Sequence, residues 1–228
     1  MNGFRGFPAG TAQFLRGLAR NNNKQWFTEH RGEYEANWLQ VAMEFVSAAG
    51  ERLKTIRPQV VADPRVNGSI FRINRDIRFS TDKTPYKDHL DLWFWEGERK
   101  TAASGFFFRF TPNSIMAGAG SHGLQRDQLR RFRDAVATQA GADSLAAAVE
   151  AVEKAGHAVH GEARVRVPPG HGPLNAEQTR LIKFTTLWAM SEHPAGKWAQ
   201  QPAVLDWTVK RWEQMLALHL WLIDNVSG

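Results

Sequence analysis

The chemistry-bearing residues of this chain gather in one run, Arg72-Ile73-Asn74-Arg75-Asp76-Ile77-Arg78-Phe79-Ser80-Thr81-Asp82-Lys83-Thr84-Pro85-Tyr86-Lys87. Five bases face only two acids, so these sixteen residues carry +3 of the net +6. Arginine forks take phosphate or carboxylate groups bidentately, and lysines add charge around them. Arg72, Arg75, Arg78, Lys83, Tyr86 and Lys87 are therefore the candidate ligand-binding residues. Asp76 and Asp82 are the candidate catalytic pair, as base or as ligands of a magnesium ion beside a bound phosphate. The other reading is a structural network, in which the same aspartates neutralise and orient the arginines.

Read as a strand, 71–80 alternates: Phe71, Ile73, Arg75, Ile77 and Phe79 on one face, and Arg72, Asn74, Asp76, Arg78 and Ser80 on the other. Arg75 thus falls on the apolar face. A guanidinium there keeps its proton and needs a carboxylate, carbonyls or an anion beside it, unless a bulge near Asn74 turns it outward. Pro85 bends the following loop, which can carry Lys83, Tyr86 and Lys87 back over the polar face.

The elements around this run follow from periodicity. A helix opens at Pro8 with Phe14, Leu15 and Leu18 on one face, and Asn21-Asn22-Asn23 breaks it. Asn22 with Gln25 has the spacing of a capping box for the next helix. Tyr34, Trp38, Val41, Phe45, Ala48, Leu53 and Ile56 predict a long amphipathic helix ending before Pro58. Residues 90–95, 105–110 and 115–117 read as strands of an antiparallel meander, the first apolar on both faces and hence central. Helices return over 124–138 and 144–155. A Pro/Gly-rich loop over 161–173 follows. Asn175-Ala176-Glu177-Gln178 opens a helix that Ser191-Glu192-His193-Pro194 closes, and a final helix carries Leu205, Val209, Trp212, Leu216, Leu220 and Ile223. The expectation is a single α+β domain over 1–228, helical over 8–57, β-rich over 70–120 and helical over 124–227. Its mainly antiparallel sheet is covered by the N- and C-terminal helices.

Composition narrows the function. With no cysteine among 228 residues, disulfides, thiolate metal sites and a cysteine nucleophile are excluded. No apolar run reaches the length of a membrane span, and the N-terminal stretch does not read as a signal peptide, so a cytoplasmic setting without a membrane partner is expected. Gly118-Ala119-Gly120-Ser121-His122-Gly123 has the spacing of a dinucleotide fingerprint, but its strand comes from a hairpin and helices follow it. A glycine turn or a helix N-terminus that holds an anion are the other readings. His157, His160 and His171 share a stretch without the acidic partners a metal site uses. Nine tryptophans are present. Trp188, Trp207, Trp212 and Trp221 read as helical packing residues, while Trp93 and Trp95 could stack a base or a sugar as well as pack.

The run 72–87 resembles the signature of a family of conserved hypothetical proteins from bacteria and fungi, domain of unknown function 2461. The resemblance extends to Asn21-Asn22-Asn23-Lys24-Gln25-Trp26-Phe27, to Gly118-Ala119-Gly120 and, more weakly, to Arg164-Val165-Arg166-Val167-Pro168-Pro169-Gly170. It departs at Asn74 and at Asp88-His89. It implies one α+β domain and no reaction. From the basic run 72–87 itself, the partner is expected to be an anionic small molecule or nucleic acid. An enzyme on a phosphorylated or nucleotide substrate and a non-catalytic nucleic-acid or protein module both stay open, as does the oligomeric state.

Overall fold

A computed structural model describes residues 3–227. The chain runs α1 (Ala9–Arg20), α2 (Lys24–Glu29), α3 (Arg31–Tyr34), a π-helical turn (Glu35–Leu39), α4 (Gln40–Ile56), β1 (Val60–Val61), β2 (Leu90–Glu96), β3 (Gly105–Phe110), β4 (Ser114–Ser121), α5 (Arg126–Ala137), α6 (Gln139–Lys154), β5 (Val159–His160), α7 (Ala176–Leu181), β6 (Leu187–Pro194), a 3-10 turn (Lys197–Gln200), α8 (Ala203–Gln214) and α9 (Leu216–Val226). The strands form one six-stranded antiparallel sheet in the order β1-β2-β3-β4-β6-β5, so the fold is α+β. Contacts gather into two compact units. No helix among the described residues is long and apolar enough to cross a membrane.

In the unit of residues 1–94, 107–117 and 192–210, helix spacing and strand alternation send aromatics to a common core. Phe7 stacks on Phe108 with ring centroids 5.6 Å apart, and Phe45 lies 4.4 Å from Phe108. Phe14, Leu15 and Leu18 are buried on α1 as their spacing predicts. The long helix forms with its π turn at Trp38, which is buried.

In the unit of residues 95–106, 118–191 and 211–228, Phe106, Phe132, Leu145, Trp212 and Trp221 build the core. A polar chain runs through it. Buried Ser104 Oγ lies 2.9 Å from Nδ1 of His219, whose Nε2 lies 2.8 Å from Glu96 Oε1. Each partner satisfies the next, as buried polar groups require.

Several expectations are corrected here. Residues 71–80 are not a regular strand: only Asn74 bridges, to Tyr86, and Phe79 at the far end is 94% exposed. Alternation alone cannot make a strand where the apolar face has no core to meet past Ile73. Asn23, not Asn22, caps α2, accepting from the Trp26 N–H at 2.9 Å. The capping box at Asn175 and Gln178 forms, but the helix it opens ends at Leu181, and Leu187–Pro194 is a strand. The region expected to be wholly helical thus supplies two strands, β5 and β6, paired Val159 to Ala189 and His160 to Trp188. Trp188 is accordingly a strand residue. The final helix breaks at Met215 and buries Val204, Thr208, Trp212, Leu218, His219 and Leu222, so Leu205, Leu216 and Leu220 lie beside the buried stripe.

Gly118 and Gly120 lie within β4. A Cβ at Gly120 would sit 2.4 Å from the Leu187 carbonyl oxygen and 2.6 Å from Trp188 Cα, and the residue has φ +129°. The glycines allow β4 to approach β6, and the fingerprint spacing forms no phosphate-binding turn. Among the described residues no His, Asp or Glu group gathers as a metal site, so His157, His160 and His171 do not converge. His157 instead meets Gln214 at 2.9 Å. Trp95 is buried and packs.

Candidate functional site

The run 71–91 folds back on itself as an irregular hairpin. Arg75 N–H donates to the Pro85 carbonyl at 2.9 Å and Lys87 N–H to the Ile73 carbonyl at 2.8 Å, on either side of the Asn74–Tyr86 bridge. Phe71 N–H reaches the Asp91 carbonyl at 3.1 Å, which docks the hairpin on β2. Pro85 has no N–H to give, but its carbonyl is the acceptor the pairing needs.

Side chains close the loop between these two arms. Asp82 accepts from the Thr84 N–H at 2.9 Å and from the Thr84 hydroxyl at 2.8 Å. Lys83 Nζ donates to the Ile77 carbonyl at 2.9 Å. Arg78 grips Asp76 with Nε at 2.9 Å and Nη2 at 2.6 Å. Arg75 sits on the inner side, its side chain 28% exposed, and its Nη1 donates to Asp82 and to Thr84 Oγ1. The carboxylate that an inward arginine demands is thus Asp82. The hydrogen bond from Arg78 holds Asp76 down at a pKa of about 2, and the one from Arg75 does the same for Asp82, also at about 2. Carboxylates held so low are poor general bases near neutrality.

A cleft of about 600 Å³ opens beside this loop. Arg75, Asp76, Asp82, Thr84, Tyr86, Lys87, Asp88 and His89 line it, with Asn22 and Ala19 on the α1–α2 side. Tyr86 is buried, and its ring stacks on Phe27 at 4.3 Å. Lys87 is half-buried, with Nζ 5.0 Å from the Phe71 ring centroid and 4.0 Å from Asp91. Burial lowers its pKa, Asp91 opposes this, and the charges of Arg109 and Arg72 add to the lowering.

Of the expected ligand-binding residues, Arg75, Tyr86 and Lys87 line the cleft and Arg72, Arg78 and Lys83 do not. Arg72 is exposed and close enough to bear electrostatically on Asp76 and Lys87. Arg78 lies 5.7 Å from the ring centroid of Phe79. Asp76 and Asp82 both line the cleft, each beside its arginine.

The structure adds residues that sequence reasoning passed over. Asp91 on β2 takes Arg109 of β3 in a two-pronged pair at 2.6 and 3.0 Å and lies 3.1 Å from His89 Nε2. Burial raises its pKa, but the hydrogen bonds and charges of His89 and Arg109 outweigh burial and hold it at about 2. His89 Nδ1 faces Asp88 at 3.0 Å, which places the ring between two carboxylates. The signal was present: Asp91 stands one residue inside the start of apolar Leu90–Glu96, and Arg109 one residue inside the end of its apolar neighbour Gly105–Phe110, an acid opposite a base. Asn22 joins the site by holding the Tyr86 backbone.

Comparison with curated proteins and with solved structures gives no match. Residues 10–221 of the 228 match a single family along their length, and the chain belongs to it: the family described as Conserved hypothetical protein (DUF2461).

Proposed function

We propose that the cleft binds a small anionic molecule bearing a phosphate or carboxylate group, in a cytoplasmic setting. Arg75 and Lys87 are its contacts, and Arg72 adds charge at the margin. The observation that supports this reading is unused donor capacity. Arg75 spends Nη1 on Asp82 and Thr84, while its Nε and Nη2 make no hydrogen bond among the described residues. Lys87 Nζ makes none either, and its ion pair with Asp91 is stretched to 4.0 Å. Two half-buried cations with free N–H groups on one cleft are suited to an oxyanion. The enzymatic form of the proposal acts on a phosphorylated or nucleotide substrate, with His89 the group placed to exchange a proton.

A second reading, a structural arginine–aspartate network, is favoured by the Arg75–Asp82 and Arg78–Asp76 pairs. Calorimetric titration of inorganic phosphate at constant ionic strength separates the two. Saturable binding that Arg75→Met and Lys87→Met each abolish supports the cleft. Binding that neither variant alters, or its absence in the wild type, leaves the network alone. Binding to single-stranded nucleic acid that weakens steeply with salt would move the reading to a non-catalytic module.

A further inference from the structure

A second hollow, of about 520 Å³, adjoins the cleft: Ala19 and Asp88 line both. Every residue lining the two belongs to the unit of residues 1–94, 107–117 and 192–210. Arg16 and Arg20 of α1 line the second hollow, together with the turn 111–114 that joins β3 to β4.

The two arginines are a helix turn apart and share one face of α1, where like charges repel. That helix contains no acidic residue to pair with them. Arg16 spends Nη2 on the Pro112 carbonyl at 2.9 Å, which ties its guanidinium to the turn, and its Nε and Nη1 make no hydrogen bond among the described residues. The Arg20 side chain makes neither a hydrogen bond nor an ion pair with any described residue, and the exposed Asn113 amide is likewise unused. An anion seated between the arginines would relieve their repulsion and take these donors.

Asp88, common to both hollows, determines what can pass between them. It is exposed, and its Oδ1 lies 3.0 Å from His89 Nδ1. A carboxylate accepts hydrogen bonds and repels phosphate. A ligand that spans the two hollows therefore presents hydroxyl groups at Asp88 and holds its anionic groups to either side, one toward Arg75 and Lys87, the other toward Arg16 and Arg20.

We propose that the cleft and the adjoining hollow form one bipartite site for a small molecule with two phosphate groups on a hydroxylated sugar. The proposal rests on the cleft reading above and adds the class of ligand to it. The same unit occurs in a free sugar bisphosphate and in a nucleoside bisphosphate.

The test is calorimetric titration of the full-length protein at constant ionic strength. Fructose 1,6-bisphosphate is compared with fructose 6-phosphate, and adenosine 3′,5′-bisphosphate with adenosine 5′-monophosphate. In the wild type at least one bisphosphate is expected to bind about tenfold or more tighter than its monophosphate, the scale of an added charge-assisted contact. Arg20→Met, an exposed change, should erase that preference and leave monophosphate affinity within about twofold, whereas Lys87→Met should weaken both. Lys210→Met, which removes an exposed charge lining neither hollow, should preserve the preference. Equal affinity for bisphosphate and monophosphate, a preference that survives Arg20→Met, or one that Lys210→Met removes equally well overturns the proposal. The cleft reading stands in each of those cases if monophosphate binding still depends on Lys87. A wild type that binds no phosphate compound overturns both. The bisphosphate that shows the larger preference assigns the site to free sugars or to nucleosides.

Discussion

Asn22 and Tyr86 exchange two hydrogen bonds: the Asn22 amide donates to the Tyr86 carbonyl at 2.8 Å, and its oxygen accepts the Tyr86 N–H at 3.0 Å. Tyr86 pairs with Asn74 at a position where the ladder bonds belong to its neighbours, so its own N–H and C=O point away from the hairpin. One side chain from the α1–α2 connection does there what a further strand would do. The cleft-lining residues 84–89 are thereby fixed to the helical layer.

Asn22→Ala should leave both Tyr86 backbone groups without their protein partner. The expected loss is about 1–3 kcal/mol of stability, with faster amide exchange at Tyr86 and Lys87 than elsewhere in the hairpin. Urea denaturation and hydrogen exchange measure the two effects. An unchanged midpoint and unchanged exchange at Tyr86 would show that the contact holds nothing.

Asp91 makes the stability pH-dependent. Its pKa is depressed from 3.8 to about 2 in the folded chain, so its contribution is complete above the unfolded value and disappears as pH falls from about 4 to about 2. The depression corresponds to about 2–3 kcal/mol for this buried group. Asp91→Asn should cost about 3–5 kcal/mol at pH 7, because Arg109 loses its partner. The variant should lack the part of the acid transition that Asp91 carries. Parallel pH profiles for wild type and variant would contradict the assignment.

Gly120→Ala should be the most disruptive single methyl in the sheet. The added carbon meets backbone atoms of Leu187 and Trp188, which cannot swing aside as a side-chain tip can. Holding alanine at φ +129° costs about 1–3 kcal/mol before the clash is counted. A drop in melting temperature well beyond that of Gly123→Ala, a position open on all sides, is the expected result.

How far the sequence could be read depended on whether periodicity had a core to act on. The aromatic strands, the helix ending before Pro58 and the Asn175–Gln178 cap were legible because each feature has a local cause. Residues 71–80 alternate at every position but Arg75 and still form a loop, since burial of Ile77 and Phe79 depends on what lies opposite them, which spacing does not record. The same holds for Leu187–Pro194. Nothing local distinguishes a strand that buries Leu187 and Ala189 from a helix continuing out of α7. For the site, the charges on 72–87 were visible but their allegiance was not. Arg78 and Asp76, two residues apart, grip each other, whereas Asn22 and Arg109 reach the site from distant parts of the chain.

The half-burial of Lys87 has a consequence for labelling chemistry. A lysine whose ammonium form is disfavoured holds more free amine at mildly alkaline pH than a fully solvated one, and the free amine is the form that attacks acylating reagents. Lys87 opens onto the cleft, so a small activated ester can reach it there. The modified residue would then be a covalent marker of the cleft, readable by mass spectrometry in the intact chain, and any molecule seated against Lys87 would protect it.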